Sequence, residues 1–379
     1  MSLEVEVERI LPGGKGLAHA GGKTVLVSLA APGDRLRVRV DHEKGNVLFA
    51  SIEEILAPSP VRVEPPCPYF GRCGGCDFQQ LTYEAQLAAK AEMIRDCLHR
   101  IARLEQVPEF AVTGSPDTWR YRMRATWQID RELIGYYERG SRRVCDVADC
   151  AVLRPELQSR LEEVRATEIP DGLQHLDVVA GENGVSFAPS FAEFATLPLS
   201  LTVRGEVYQY NAETFFQINP SLLGALIDFA LADVAGERAL DLYSGVGLFT
   251  LPLARVFESV VAVEANSAAT RFARRNLQHA GLTNAQVVTA TVTEWIRSAP
   301  LDQADFVLLD PPRAGAESAV INGLLRLKAP RICYVSCDPA TLARDLKKLV
   351  AGGYLVQSLN AFDFFPQTHH VETVVHLCL

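Results

Sequence analysis

The chain has 379 residues, of which 48% are hydrophobic, and a formal net charge of −9. That length implies two or three domains rather than one core, and no apolar run approaches the ~20 residues needed to span a bilayer. Nine cysteines behind an acidic, alternating N-terminus argue against a secreted disulfide framework, so a cytoplasmic protein without a membrane partner is expected.

Residues 1–56 alternate apolar and polar side chains in "LEVEVERI", "KTVLVSL" and "DRLRVRVDHEKGNVLFASIEEI", with turn chemistry in "LPGGKGLAHAGG" and "AAPGD". This pattern predicts a small OB-like β-barrel, a fold that often binds oligonucleotides. A generic β module with a solvated face satisfies it equally. Pro58, Pro60, Pro65 and Pro66 mark a boundary. The spacing of Leu87, Ala91, Ile94 and Leu98 predicts a helix over 81–104 that can pack on the catalytic half, with Cys97 as a core thiol.

Between the prolines and that helix, "CPYFGRCGGCDFQQ" sets Cys67, Cys73 and Cys76 at intervals that wrap a metal or cluster, with glycines allowing tight turns. Cys145 and Cys150 in "VCDVADCAVL" both offer a fourth ligand. Spacing alone does not separate a zinc tetrathiolate from an iron–sulfur cluster. Further on, "WRYRMRATW" read as a strand places Arg120, Arg122 and Arg124 on one face and aromatic and apolar residues on the other. Residues 119–143 hold seven arginines against three acids, a local basic patch that suits RNA despite the acidic whole. A solvated basic face would produce the same pattern.

From 211 onward, apolar strands ("RALDLY", "VVAVEA", "AQVVTA", "ADFVLLD", "RICYVS") alternate with helical stretches, which predicts a Rossmann-like doubly wound α/β domain. The expected division is 1–56, 57–210 and 211–379. "DLYSGVGLF" bends a strand into a helix through Gly245 and Gly247, and Glu264 closes the next strand, 23 residues after Asp241, where a carboxylate suits ribose hydroxyls. Asp310-Pro311-Pro312-Arg313 forms a rigid lip at the carboxyl edge of a later strand. Such a lip belongs with S-adenosylmethionine-dependent methyl transfer rather than hydride transfer. One strand beyond it, "YVSCDPATLARD" places Cys337 at a strand end, with Asp338 as N-cap and Pro339 as first helical residue. A helix N-terminus favours the thiolate. A thiolate at carbon 6 of uracil activates carbon 5 toward a methyl donor, and Glu372 in "FPQTHHVETVV" can then remove the carbon 5 proton.

These residues resemble the RNA 5-methyluridine methyltransferases, in particular the iron–sulfur-containing group that modifies ribosomal RNA, over nearly the whole chain. The resemblance implies a TRAM domain at 1–56 and a [4Fe–4S] cluster on Cys67, Cys73, Cys76 and Cys150, with Cys145 left out. It makes Cys337 the nucleophile and Glu372 the base. In "AETFFQIN" it assigns Phe215 to the target base and Gln217 to the cofactor, with Tyr243, Gly245, Glu264 and Asp310 completing the cofactor site. It favours 23S rRNA as the partner over tRNA, and implies no protein partner and a monomer. Thr291 is the residue offered for the adenine amino group, and Asp338 stands where the family often has Asn. Two other readings remain: an amino-methyltransferase on nucleic acid, to which the D-P-P-R lip also points, and a non-catalytic iron–sulfur RNA-binding protein.

Overall fold

The computed structural model describes residues 2–298 and 304–379. The N-terminal part is a six-stranded sheet: β1 (Ser2–Glu6), β2 (Arg9–Ile10), β3 (Gly16–Ala20), β4 (Lys23–Val27), β5 (Arg35–Lys44) and β6 (Val47–Ala57), in the order β1-β5-β6-β4-β3-β2. Inward residues from β1, β3, β4, β5 and β6 share one core of small and branched side chains, including Val5, Ala18, Val25, Leu36 and Leu48. β3 corrects the sequence reading, which gave "GLAHA" to a turn. Its inward positions are Gly16 and Ala18 because the sheet closes tightly there, and a Cβ on Gly16 would stand 2.8 Å from that of Ala30. β-propensity does not register such a steric demand.

Helix α1 (Tyr83–Cys97) is capped by the Thr82 hydroxyl. Its end, with Ile94, Cys97 and Leu98, packs into the same apolar cluster as Leu240, Val307 and Leu342 of the C-terminal half. Cys97 is thus a core thiol. β7 (Val112–Thr113) then joins the edge of the C-terminal sheet. Next comes a five-stranded antiparallel sheet built from β8 (Arg124–Asp130), β9 (Leu133–Tyr137), β10 (Val144–Asp146), β11 (His175–Gly181) and β12 (Gly184–Ala188), with helix α2 (Pro155–Ala166) packed on it. A hairpin of β13 (Leu199–Val203) and β14 (Glu206–Tyr210) turns through Arg204 and Gly205, both at positive φ, as a two-residue turn requires.

The remaining elements are α3 (Leu223–Ala230), β15 (Gly236–Leu242), α4 (Thr250–Val256), β16 (Phe257–Glu264), α5 (Ser267–His279), β17 (Ala285–Thr289), α6 (Val292–Ser298), β18 (Phe306–Leu309), α7 (Ser318–Leu327), β19 (Arg331–Ser336), α8 (Pro339–Ala351), β20 (Leu355–Phe362) and β21 (Glu372–Cys378). They form an eight-stranded sheet in the order β17-β16-β15-β18-β19-β21-β20-β7. The run from β17 to β19 is parallel, whereas β21 runs antiparallel between β19 and β20. Both faces are covered, so successive strand residues enter opposite cores. Phe306, Leu308, Cys333 and Val335 pack on one side, and Val307, Leu309, Ile332 and Tyr334 on the other. Continuous apolar strands follow from that double burial, each fully buried branched side chain contributing about 1.5–3 kcal/mol. Among the described residues no helix is long and apolar enough to cross a membrane.

Candidate active site

Parallel strands deliver their carboxyl ends to one edge, where the following loops meet a ligand. Tyr243 and Gly245 follow β15, Glu264 ends β16, Asp310 follows β18 and Cys337 follows β19. Glu372 reaches the same edge because β21 is antiparallel: its first residues lie beside the last of β19, with Thr373 paired to Ser336. One cavity of about 630 Å³ is lined by Phe215, Gln217, Tyr243, Gly245, Glu264, Asp310, Cys337 and Glu372. Eight residues expected from separate sequence segments therefore share one pocket, and Thr291 lines it too. Ser244, Arg313, Glu317 and Phe365, which were not singled out as site residues, also contribute. Ser244 lay within the glycine-turn motif. Phe365 carried no signal beyond its closeness to Glu372.

The glycine turn carries a local constraint. Tyr243, Gly245 and Gly247 all have positive φ, at 64°, 55° and 95°, a conformation costly for tyrosine and concentrated at functional sites. The Gly245 amide donates to one Glu264 oxygen at 3.0 Å and the Asn266 amide to the other at 2.6 Å. The Tyr243 hydroxyl and Ser244 Oγ are buried without a hydrogen-bond partner. Both residues line the cavity, but the two oxygen atoms are themselves buried, so it is the backbone of the turn that the strained φ angles bring close to a ligand.

Buried acids crowd at and beneath the pocket. Burial, aided by Glu264, raises Asp241 to about 7 even though the Thr250 hydroxyl donates to it at 2.5 Å. Burial and Asp241 raise Asp310 to about 7, and burial with Asp310 holds Glu372 well above the ordinary carboxyl range. Burial first, then Glu372 and Asp310, pushes the Cys337 thiol up to about 12. This corrects the expectation of a helix-stabilised thiolate. Asp338 does cap α8, and its carboxylate takes the Ala340 and Thr341 amides that would have favoured the sulfur. A cationic ligand is the natural complement to so many crowded acids.

The arginine row also needs correction. Strand β8 starts at Arg124, and Arg120 has a φ of 53°, so Arg120, Arg122 and Arg124 do not lie along one strand. Arg120 pairs with Asp149 and donates to the Cys150 carbonyl. Arg124 donates to the Thr214 and Ala212 carbonyls at 2.6 and 3.0 Å, holding the loop that presents Phe215, which is 60% exposed, and Gln217. Arg122 enters a second cavity, lined by Cys67, Cys73, Cys76 and Cys150. Cys145 is not among its lining residues and lies buried in β10. Arg122 Nε and the Tyr136 hydroxyl are buried without partners, and both residues line the cysteine cavity. Among the described residues no group of three His, Cys, Asp or Glu side chains converges as a site for a metal ion.

The parallel sheet, the glycine turn and the acid-lined cavity at the strand ends define a methyltransferase of the S-adenosylmethionine α/β type. A family model described as tRNA (uracil-5-)-methyltransferase matches residues 190–378. The chain is 35% identical to the 23S rRNA (uracil(1939)-C(5))-methyltransferase RlmD of Pseudomonas putida, across 98% of this chain and 92% of that one. It is 32% identical to an uncharacterized RNA methyltransferase of Thermosynechococcus vestitus, across 99% and 98%. Its fold also matches the crystal structure of Pyrococcus abyssi tRNA (uracil-54, C5)-methyltransferase in complex with S-adenosyl-L-homocysteine, with a TM-score of 0.75, 27% identity and coverage of 98% and 100%. The chain belongs to the RNA uracil-C5 methyltransferase family.

Proposed function

We propose that this protein methylates carbon 5 of a uridine in 23S rRNA through a covalent adduct on Cys337. The observation that carries the reading is the single cavity in which Cys337 and Glu372 meet the glycine turn. S-adenosylmethionine, when bound, supplies a methyl group on a cationic sulfonium, which the crowded carboxyls favour. Tyr243, Gly245, Glu264, Asp310 and Gln217 would hold it. Phe215 at the rim would stack on the target base.

Asp310, as carboxylate, takes the Cys337 proton as the sulfur adds to carbon 6 of uracil, and the electron pair of the C5=C6 bond becomes an enolate. Carbon 5 then takes the methyl group, leaving the donor's sulfur neutral. Glu372, as carboxylate, removes the carbon 5 proton. The released pair re-forms C5=C6, the carbon–sulfur bond breaks, and the departing Cys337 sulfur takes its proton back from the neighbouring acid. If Cys337→Ala still methylates RNA from labelled donor, this route is wrong. A covalent complex with 5-fluorouridine RNA supports it, and an amino-methyltransferase would form none.

The cysteine cavity would hold a [4Fe–4S] cluster on Cys67, Cys73, Cys76 and Cys150, with Arg122 and Tyr136 donating toward its sulfurs. The four cysteines line one hollow, and the choice of an iron–sulfur cluster over a zinc tetrathiolate rests on the family resemblance rather than on their spacing. Residues 1–56, read as a TRAM domain, would bind RNA beside the catalytic domain. Ribosomal RNA is favoured because relatives at 33–35% identity across nearly the whole chain are RlmD proteins. The archaeal tRNA enzyme supports tRNA as a second reading. Mass mapping of methylated uridines in RNA from a strain lacking the protein decides between them.

A further inference from the structure

Glu372 is preceded by residues 363–371, an irregular segment between β20 and β21, and its contacts lead back to the cysteine segment. The Asp77 carboxylate, one residue after Cys76, accepts from the His369 amide at 2.8 Å and engages the His369 ring. The Asp77 and Phe78 amides both donate to the Gln367 carbonyl. Gln86 of α1 is paired twice with Gln367, accepting from its amide at 2.9 Å and donating to its side-chain oxygen at 3.0 Å. Gln367 is held at a φ of 69°, a conformation that persists where its surroundings over-determine it. Gly14 of the N-terminal sheet closes the junction: a Cβ there would stand 3.0 Å from both Asp77 Oδ2 and the His369 Cβ. Phe365 packs in the cluster that includes Cys76 and Cys150, and also lines the catalytic cavity.

We propose that residues 363–371 form a strap that sets the Glu372 carboxylate, and that the cysteine segment sets the strap through Asp77–His369 and Gln86–Gln367. The inference rests on the proposed roles of Glu372 and the cysteine-bound cluster. It assigns Asp77, Gln86, Gln367 and His369 as positioning residues for one step, removal of the carbon 5 proton. The group on the cysteines then controls completion of the reaction without taking part in its chemistry.

The test uses the full-length holoenzyme, RNA carrying tritium at carbon 5 of uridine, and the variants Gln86→Leu, His369→Ala and Glu372→Gln. Gln86→Leu and His369→Ala are expected to keep S-adenosylmethionine affinity within about twofold and to form the methylated adduct. Their tritium release should be slowed by up to about 10²-fold, the scale of a misplacement near 1 Å, so that adduct accumulates. Equal loss of adduct and release in both variants, or no change in either, overturns the strap. Failure of Glu372→Gln to accumulate adduct overturns instead the base assignment beneath it. Independently of activity, removal of iron by chelator should speed amide hydrogen exchange across 363–371. Unchanged exchange there overturns the link to the cysteines.

Discussion

Glu372 stands beside Cys337 because Thr373 pairs with Ser336 across two antiparallel strands. A sheet that stayed parallel would have sent the start of its next strand to the opposite edge, away from the sulfur. The proximity acts on the thiol, since Glu372 follows burial as the second cause raising Cys337 to about 12. Glu372→Gln is therefore expected to move the alkylation pH profile of Cys337 downward, while burial keeps the midpoint above that of a free thiol. Iodoacetamide labelling at position 337, followed by mass spectrometry from pH 7 to 11, measures it. An unchanged profile would mean that the two side chains do not interact.

Asp310 predicts a pH-dependent cost. Its folded value is about 7 against 3.8 when free, so the unfolded chain loses this proton first. Between those values the folded state binds more protons, and stability falls as pH rises, levelling off above 7. The cost is about 4 kcal/mol at most and is spread over Asp310, Glu372 and Asp241, whose titrations bear on one another. Asp310→Asn in the ligand-free protein is expected to match the parent near pH 4 and exceed it in thermal stability at pH 8, while binding S-adenosylmethionine more weakly. A stability gain that does not vary with pH would contradict the assignment.

The local elements were legible because their signals are local. The double burial of Val307 and Leu308 shows as an unbroken apolar run, and the Asp338-Pro339 cap shows in two adjacent letters. Arg122 shows the limit. An alternating strand pattern sends it to solvent, but the strand begins two residues later and the guanidinium enters the cysteine cavity. Gln86 and Lys90 are a second case. Helical spacing places them beside the apolar face, yet both are buried, and their partners Gln367 and Asp363 lie more than 270 residues away. No window of sequence contains both halves of such a pair.

The Lys90–Asp363 ion pair is fully buried, and Lys90 also donates to the Phe365 carbonyl at 3.1 Å. Removing one partner leaves a charge stranded in low dielectric. Lys90→Met is expected to cost about 3–5 kcal/mol, and Lys90→Met with Asp363→Leu to recover much of that loss. Urea unfolding of the single and double variants measures the coupling; additive losses would rule it out.

Two cysteines separated by five positions should behave differently. Cys150 lines the cavity with Cys67, Cys73 and Cys76, and Cys145 does not. Cys150→Ala is expected to lose the visible absorbance and iron of anaerobically purified protein, and Cys145→Ala to retain both. Equal retention would show that Cys150 is no ligand.

Arg122 and Arg142 should separate by salt dependence. Arg142 is exposed, whereas Arg122 faces the thiols. Counterion release predicts that Arg142→Gln lowers the slope of log affinity against log salt by about 0.7 if it contacts one phosphate of single-stranded RNA. Arg122→Gln should leave that slope unchanged and shift the cluster's absorbance or reduction potential, since a donor to its sulfurs is lost. A reduced slope in Arg122→Gln with unaltered cluster spectra would return this arginine to the phosphate-binding face first expected for it.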